Sequence, residues 1–220
     1  MKKSPDMIDE LFRDHRAERI KAPGAIDAAV LIPLVERNGA DHILFELRNP
    51  RIDQGGEVCF PGGRVEPGES TIETVIRETM EELEIGREQI RVIAPLYRMT
   101  GPGGSEISAF LGRIEDYKDS WSADEVSKTF LVPLRELLDM EPLISGGQYE
   151  MHLNDGFPYS LIQNGRNYRW HKIRKNYYFY KTEPEIVWGM TAELLYHFLE
   201  DLKGKESVLR KRKRLETAFP

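Results

Sequence analysis

The residues able to do chemistry are concentrated between positions 63 and 82. Gly63-Arg64-Val65-Glu66-Pro67-Gly68-Glu69 is followed, after seven residues, by Arg77-Glu78-Thr79-Met80-Glu81-Glu82. In a helix, positions three and four apart share a side, so Glu78, Glu81 and Glu82 converge on one face. Ile72, Val75, Ile76, Thr79 and Leu83 then form the opposite, core-facing stripe. Three carboxylates that close repel unless positive charge sits among them, and a hard divalent cation with oxygen ligands supplies it. Arg77 can pair with Glu69 and hold the carboxylates in orientation. The preceding Phe60-Pro61-Gly62-Gly63 brings backbone to the helix start, where glycine lets a bare carbonyl or amide approach a metal or a phosphate. A solvated helix face of mixed charge is the competing reading of any Glu-rich helix. The glycine loop, the offset Glu69 and the Arg-Glu-x-x-Glu-Glu core occurring together favour the cation site.

The elements that must position this segment can be read from pattern. An amphipathic helix is expected within Pro5–Ile20, with Met7, Ile8, Leu11 and Phe12 at helical spacing, leading through Ala22-Pro23-Gly24 into the main unit. Strands follow at Ala28–Val35 and His42–Leu47, and Asn38-Gly39 marks the hairpin turn between them. The acidic helix spans about Ser70 to Glu84. Further strands are expected at Ile90–Tyr97, Ile107–Ile114, Lys128–Val132 and Tyr177–Tyr180, with a short helix opened by Pro133. The stretch from Leu143 to Trp170 is loop-rich, and a last helix runs from about Thr191 to Leu202. Mixed strands with few helices indicate an α/β chain with a helix packed on a mixed sheet. The boundaries expected are 1–25 for the N-terminal helical extension, 26–203 for the main domain and 204–220 for a basic tail.

Bulk properties narrow the classes. A chain of 220 residues, 40% hydrophobic and 31% charged, suits one soluble globular domain. The longest apolar run, Ala28–Val35, is far short of a bilayer span, and the N-terminus carries no signal-peptide core, so no membrane association is expected. One cysteine, Cys59, excludes an intrachain disulfide framework and suits a reducing cytoplasm. It reads as a small buried strand residue, since no histidine is patterned to activate it. A net charge of −6 argues against duplex binding. The basic run Arg210-Lys211-Arg212-Lys213-Arg214 could meet nucleic acid or acidic lipid, but a solvated helix end is the simpler reading.

The acidic segment resembles the Nudix box, G-x5-E-x7-R-E-U-x-E-E-x-G-U with U apolar, matched by Gly63, Glu69, Arg77, Glu78, Glu81, Glu82 and Ile85. Glu84 stands in place of the box glycine and Thr79 in place of an apolar residue. Glu84 would end the helix differently, leaving Gly86 as terminator. The resemblance implies a Nudix-fold α/β/α sandwich around a mixed β-sheet and attack of water on a nucleoside diphosphate linked to another group. It implies Mg2+ or Mn2+ held by Glu78, Glu81, Glu82 and the Gly63 carbonyl, with two cations about 4 Å apart drawing charge from the pyrophosphate. Glu78 is the first choice of base. Glu125, in a loop before a later strand, is a further catalytic carboxylate, ahead of Asp124 and Glu106; Arg77 and Glu69 support them.

Outside the box, Leu44-Phe45-Glu46-Leu47-Arg48-Asn49-Pro50-Arg51 and Gly55–Gly63 resemble the motif of coenzyme A pyrophosphatases, L-L-T-x-R-[SA]-x3-R-x3-G-x3-F-P-G-G. Arg48, Gly56 and Phe60-Pro61-Gly62-Gly63 match. Phe45, Glu46 and Asn49 depart, and the Arg48-to-Gly56 interval is one residue shorter. Ile186–Ala192 is similar to the I-W-G-x-T-A segment of these enzymes; Trp188 within it reads as core. The implied partner is a small nucleotide of the coenzyme A kind, bound by Arg48, Arg51, Gly62, Arg166 and Tyr168, whose arginines could fork onto phosphates while the ring stacks. A solvated basic strand pair is the competing reading for Arg166 and its neighbours. Hydrolysis of ADP-ribose, NADH or dinucleoside polyphosphates is the alternative activity, and a non-catalytic binding module of the same fold a third. A homodimer is left open.

Overall fold

The computed structural model describes residues 19–218. Its centre is a seven-stranded mixed sheet made of β1 (Ala28–Arg37), β2 (Ala40–Arg48), β3 (Val58–Cys59), β4 (Gly62–Arg64), β5 (Ile90–Thr100), β6 (Glu106–Ile114) and β7 (Val126–Pro133). The order is β3-β2-β1-β6-β5, with β4 beside β1 and β7 beside β2. β1 and β6 run parallel, and the other pairs are antiparallel. The β1–β2 hairpin closes Arg37 on Ala40 through Asn38 and Gly39, at φ 54° and 76°. Two successive positive φ angles give the turn whose twist suits paired strands, and Asn-Gly tolerates them best.

Among the described residues three helices cover the sheet: α1 (Thr71–Leu83), α2 (Leu134–Asp139) and α3 (Gly189–Ala218). Alternation along the strands divides the apolar side chains between two cores. On one face Ala29, Leu31, Val35 and Leu44 pack with Val75 and Leu83 of α1. On the other, Ile32, Leu34, Ile43 and Phe45 pack with Leu195, Phe198 and Leu199 of α3. The architecture is the α/β/α sandwich expected. A three-stranded antiparallel sheet of β8 (Leu143–Tyr149), β9 (Ile173–Lys181) and β10 (Ile186–Trp188) adds Tyr178 and Tyr180 to the α3 core.

α1 starts at a complete capping box: Glu73 N–H donates to Ser70 Oγ, and Ser70 N–H donates to the Glu73 carboxylate. It ends where Glu84 takes the left-handed conformation, φ 50°, while Gly86 is extended at φ −77°. The residue replacing the box glycine thus adopts the terminating conformation itself, and Gly86 is not the terminator. The buried stripe also differs from expectation. Ile72, in the first turn, stays 44% exposed, and Thr74 is buried instead.

Of the helix expected over Pro5–Ile20, residues up to 18 lie outside the described residues; Arg19–Lys21 are not helical. The last helix does not stop near Leu202 but continues to Ala218, taking in the basic run, whose side chains lie outside the described residues. Trp188 is not core: it is 44% exposed. Among the described residues no helix is long and apolar enough to cross a membrane.

Candidate active site

Carboxylate oxygens of Glu78, Glu82 and Glu125 lie within 4.8 Å of one another. Glu78 and Glu82 are one helical step of four apart on α1, about 40° around the helix from each other. Glu81 falls about 60° to the other side of Glu78, away from the sheet. It is therefore not in the cluster: its half-exposed side chain pairs with Arg77 at 3.1 Å. Glu125 takes the third place. Its loop is fastened to the last turn of α1, where Ser120 Oγ donates to Leu83 O at 2.6 Å and Ser122 N–H to Glu82 O at 2.8 Å. The end of β2 holds the same loop, with Asn49 N–H donating to Glu125 O and Asn49 Nδ2 to Ala123 O.

The glycine turn closes the other side. Gly62 N–H donates to Glu82 Oε2 at 2.8 Å. A Cβ on Gly62, at φ 147°, would lie 2.2 Å from Ala29 O, and one on Gly63 would lie 2.4 Å from the Glu78 carboxyl carbon. No other residue fits either position without displacement. Behind the cluster Arg77 joins three acids: Nε meets Glu69 at 2.9 Å, while Nη1 meets Glu78 at 2.8 Å as well as Glu81. Thr74 Oγ1 also donates to Glu69, at 2.7 Å. The Arg77 hydrogen bonds, followed by that of Thr74, hold Glu69 down to a pKa of about 2. Glu69 is thus a fixed anion that orients Arg77.

The inner carboxylates behave in the opposite way. Burial, only partly offset by the Gly62 N–H, pushes Glu82 up to about 8, with Glu78 adding repulsion. Burial also raises Glu78, against the pull of Arg77. Burial disfavours the charge on both acids for want of a counter-charge, which is the property of an oxygen donor set suited to a hard divalent cation. Glu78, Glu82, Glu125 and the Gly63 backbone are the groups that fit it. One acid was missed by pattern reading. Glu46, on β2, is completely buried, and burial followed by the nearby Glu82 charge raises its pKa well above the ordinary value. Its signal was a glutamate at alternating spacing with Leu44, inside the otherwise apolar run Ile43–Leu47 of the strand.

A cleft of about 610 Å³ opens beside the glycine turn, lined among others by Arg48, Cys59, Gly62, Gly63, Arg64 and Trp188. Arg48 and Gly62 line it, Arg48 being steadied by an Nε–H bond to Asp53 O. Arg51, Arg166 and Tyr168 do not line it. Arg51 is exposed in the turn after β2. The 150–172 segment folds on itself: Arg166 lies over the Tyr159 ring at 4.7 Å, and Tyr168 packs on Trp170 at 4.8 Å. These side chains are engaged locally, around a separate hollow lined by Asn164, Asn167, Tyr168 and Arg169. Glu106 is engaged by Arg19, and Asp124 is exposed in a turn.

Comparison with known proteins gives a match of residues 26–152 to the NUDIX domain model. Nudix hydrolase 3 of Caenorhabditis elegans is 31% identical over 178 residues, covering 78% of this chain and 71% of that one. The peroxisomal coenzyme A diphosphatase NUDT7 of Mus musculus is 28% identical over 174 residues, covering 76% of this chain and 66% of its own. Among solved structures, the Nudix hydrolase RenU of M. smegmatis overlaps 52% of this chain and 74% of its own, at 21% identity and a TM-score of 0.45.

Proposed function

This chain belongs to the NUDIX domain family, and from that premise we propose that it hydrolyses the pyrophosphate bond of coenzyme A or an acyl-coenzyme A. Water would add to one phosphorus as the bridging P–O bond breaks, leaving 3′,5′-ADP and (acyl-)4′-phosphopantetheine, with the proton of the attacking water passed to a base. The observation that carries the hydrolytic part is the Glu78–Glu82–Glu125 trio closed in by the glycine turn at the edge of the cleft. A bound Mg2+ or Mn2+ would supply charge neutralisation for the pyrophosphate and acidify the attacking water.

The chain's own residues do the rest. Arg77 holds Glu78 from behind, fixing one oxygen and leaving the other free. The fixed glycine backbone and the loop tied to α1 keep the acids at a constant spacing, so positioning is built before substrate arrives. Arg48, at the cleft wall, offers a guanidinium to a phosphate. The coenzyme A assignment is supported by the Arg48, Gly56 and Phe60–Gly63 motif, by the cleft beside it, and by similarity to the mouse diphosphatase.

The test is a substrate panel: coenzyme A, acetyl-coenzyme A, ADP-ribose, NADH and diadenosine polyphosphates, each with Mg2+ or Mn2+. Release of 3′,5′-ADP from the coenzyme A substrates at the highest kcat/KM is expected. Turnover of ADP-ribose with coenzyme A untouched would move the assignment to the alternative substrates, and no turnover of any would favour a binding module.

A further inference from the structure

A second hollow, of about 440 Å³, shares Val58 and Trp188 with the cleft as lining. Its other walls are Gly56, Phe179, Glu185 and Ile186. Trp188 and Ile186 leave 44% and 54% of their surface exposed there. Large apolar side chains left open beside a cleft mark a binding surface more often than a solvated one.

The register of the three-stranded sheet explains why they are uncovered. Phe179 of β9 pairs with Trp188 of β10 on one side and with Leu143 of β8 on the other, so the three side chains form one row on one face. The Trp188 and Phe179 rings are within 5° of parallel, with centroids 6.2 Å apart. The alternate positions Tyr178, Tyr180 and Val187 turn to the α3 core and are buried. The row therefore faces away from that core, and Leu143 at its far end is 59% exposed. Neighbouring strands lie about 4.8 Å apart, so the row runs about 10 Å outward from the cleft.

Charge selects which end of a coenzyme A thioester suits this surface. The adenosine end carries a 3′-phosphate and calls for cations. Arg48 and Arg64 line the cleft, but among the described residues no cationic side chain lines the hollow. Its lining acid, Glu185, is paired with Lys128 at 2.6 Å. A phosphate gains nothing there, whereas a hydrocarbon chain laid on the row removes apolar surface from water on both partners.

We propose that the hollow and the Trp188–Phe179–Leu143 row form an acyl-chain subsite, along which the thioester chain of an acyl-coenzyme A lies while its pyrophosphate is held at the acids. The proposal rests on the coenzyme A reading above and deepens it. Trp188 is the wall around which the chain leaves the cleft, and the small sheet, outside the sandwich, sets the preferred chain length.

The experiment measures kcat/KM for coenzyme A and for acetyl-, butyryl- and octanoyl-coenzyme A with Mn2+, in the wild type, Ile186→Asp and Ile186→Ser, with thermal melts to check folding. The wild type should favour octanoyl- over acetyl-coenzyme A at least about ten-fold, because each methylene placed on an apolar wall adds to binding. Ile186→Asp sets a second carboxylate beside Glu185 and should cut that ratio below about three. Octanoyl-pantetheine, which has no pyrophosphate to cleave, should inhibit the wild type at least about ten-fold more tightly than pantetheine does, an advantage Ile186→Asp should lose. Cleavage of coenzyme A without any gain from the octanoyl chain would overturn the subsite and leave the coenzyme A reading standing. So would a drop on all substrates alike in Ile186→Asp that keeps the octanoyl-to-acetyl ratio, since a merely structural role has that effect. Should Ile186→Asp fail to fold, Ile186→Ser is judged by the same direction of change, and failure of both overturns the proposal by making the exposed side chain a structural one. Cleavage of ADP-ribose with every coenzyme A substrate untouched would instead remove the coenzyme A reading, and the subsite with it.

Discussion

Replacing Glu82 by glutamine should make the metal-free protein more stable while removing most of its activity. Glu82 is 3% exposed, and burial raises its pKa from 4.5 to about 8. For an acid whose folded pKa is raised, stability is fully present below the unfolded value and is lost as pH rises towards the folded one. The loss is about 1.4 kcal/mol per pH unit between 4.5 and 8, or about 3 kcal/mol at pH 7, levelling off above pH 8. Glutamine keeps an oxygen to accept the Gly62 N–H but carries no charge to desolvate. In EDTA at pH 7, Glu82→Gln should therefore melt about 6–12 °C above the wild type for a chain of this size, and the gap should close by pH 5. In Mn2+ the advantage should shrink or reverse, because only the wild type gains the full ligand charge. Thermal melts at pH 5, 7 and 8.5, with and without metal, measure all of this. Equal melting temperatures in EDTA at pH 7, or a wild type indifferent to pH between 5 and 8, would refute the claim that Glu82 is an uncompensated buried acid.

Glu81→Gln should lose less than about five-fold in kcat, whereas Glu78→Gln and Glu125→Gln should each lose more than about a hundred-fold; equal losses would contradict the outward placement of Glu81. Arg77→Lys should lower kcat more than about ten-fold, since one ammonium cannot span Glu69 and Glu78 with the fork that Arg77 uses. Steady-state kinetics with saturating metal decide it. Gly62→Ala should lower the melting temperature by more than about 10 °C or prevent folding, because its Cβ meets backbone at 2.2 Å rather than a movable side-chain end; a near-normal melt would show that β4 can shift off β1.

Much of this was legible in the sequence because the signals were local. Asn38-Gly39 acts over two residues, so the hairpin follows from it. Glu125 could be named only because the Nudix resemblance implies a carboxylate in the loop before a later strand. The departures share a cause, which is that side-chain surroundings are set by partners remote in sequence. Spacing rules group Glu78, Glu81 and Glu82, yet only the position of the sheet decides which of them turns inward. Glu46 reads as a polar residue alternating along a strand. It is buried because β2 is flanked by β1 and β7 and covered by α1. Arg51, Arg166 and Tyr168 had suitable chemistry, but their own turns and rings retain them.

The sheet with a separate core on each face divides the molecule's tasks. The acids hang from α1 and from the loop tied to it, whereas the cleft wall draws on Trp188 and the first turn of α3, across the sheet. Replacements on the α3 side can therefore reshape what the cleft admits without disturbing the spacing of the acids. Such a layout lets the range of accepted molecules drift while the bond-breaking step stays constant.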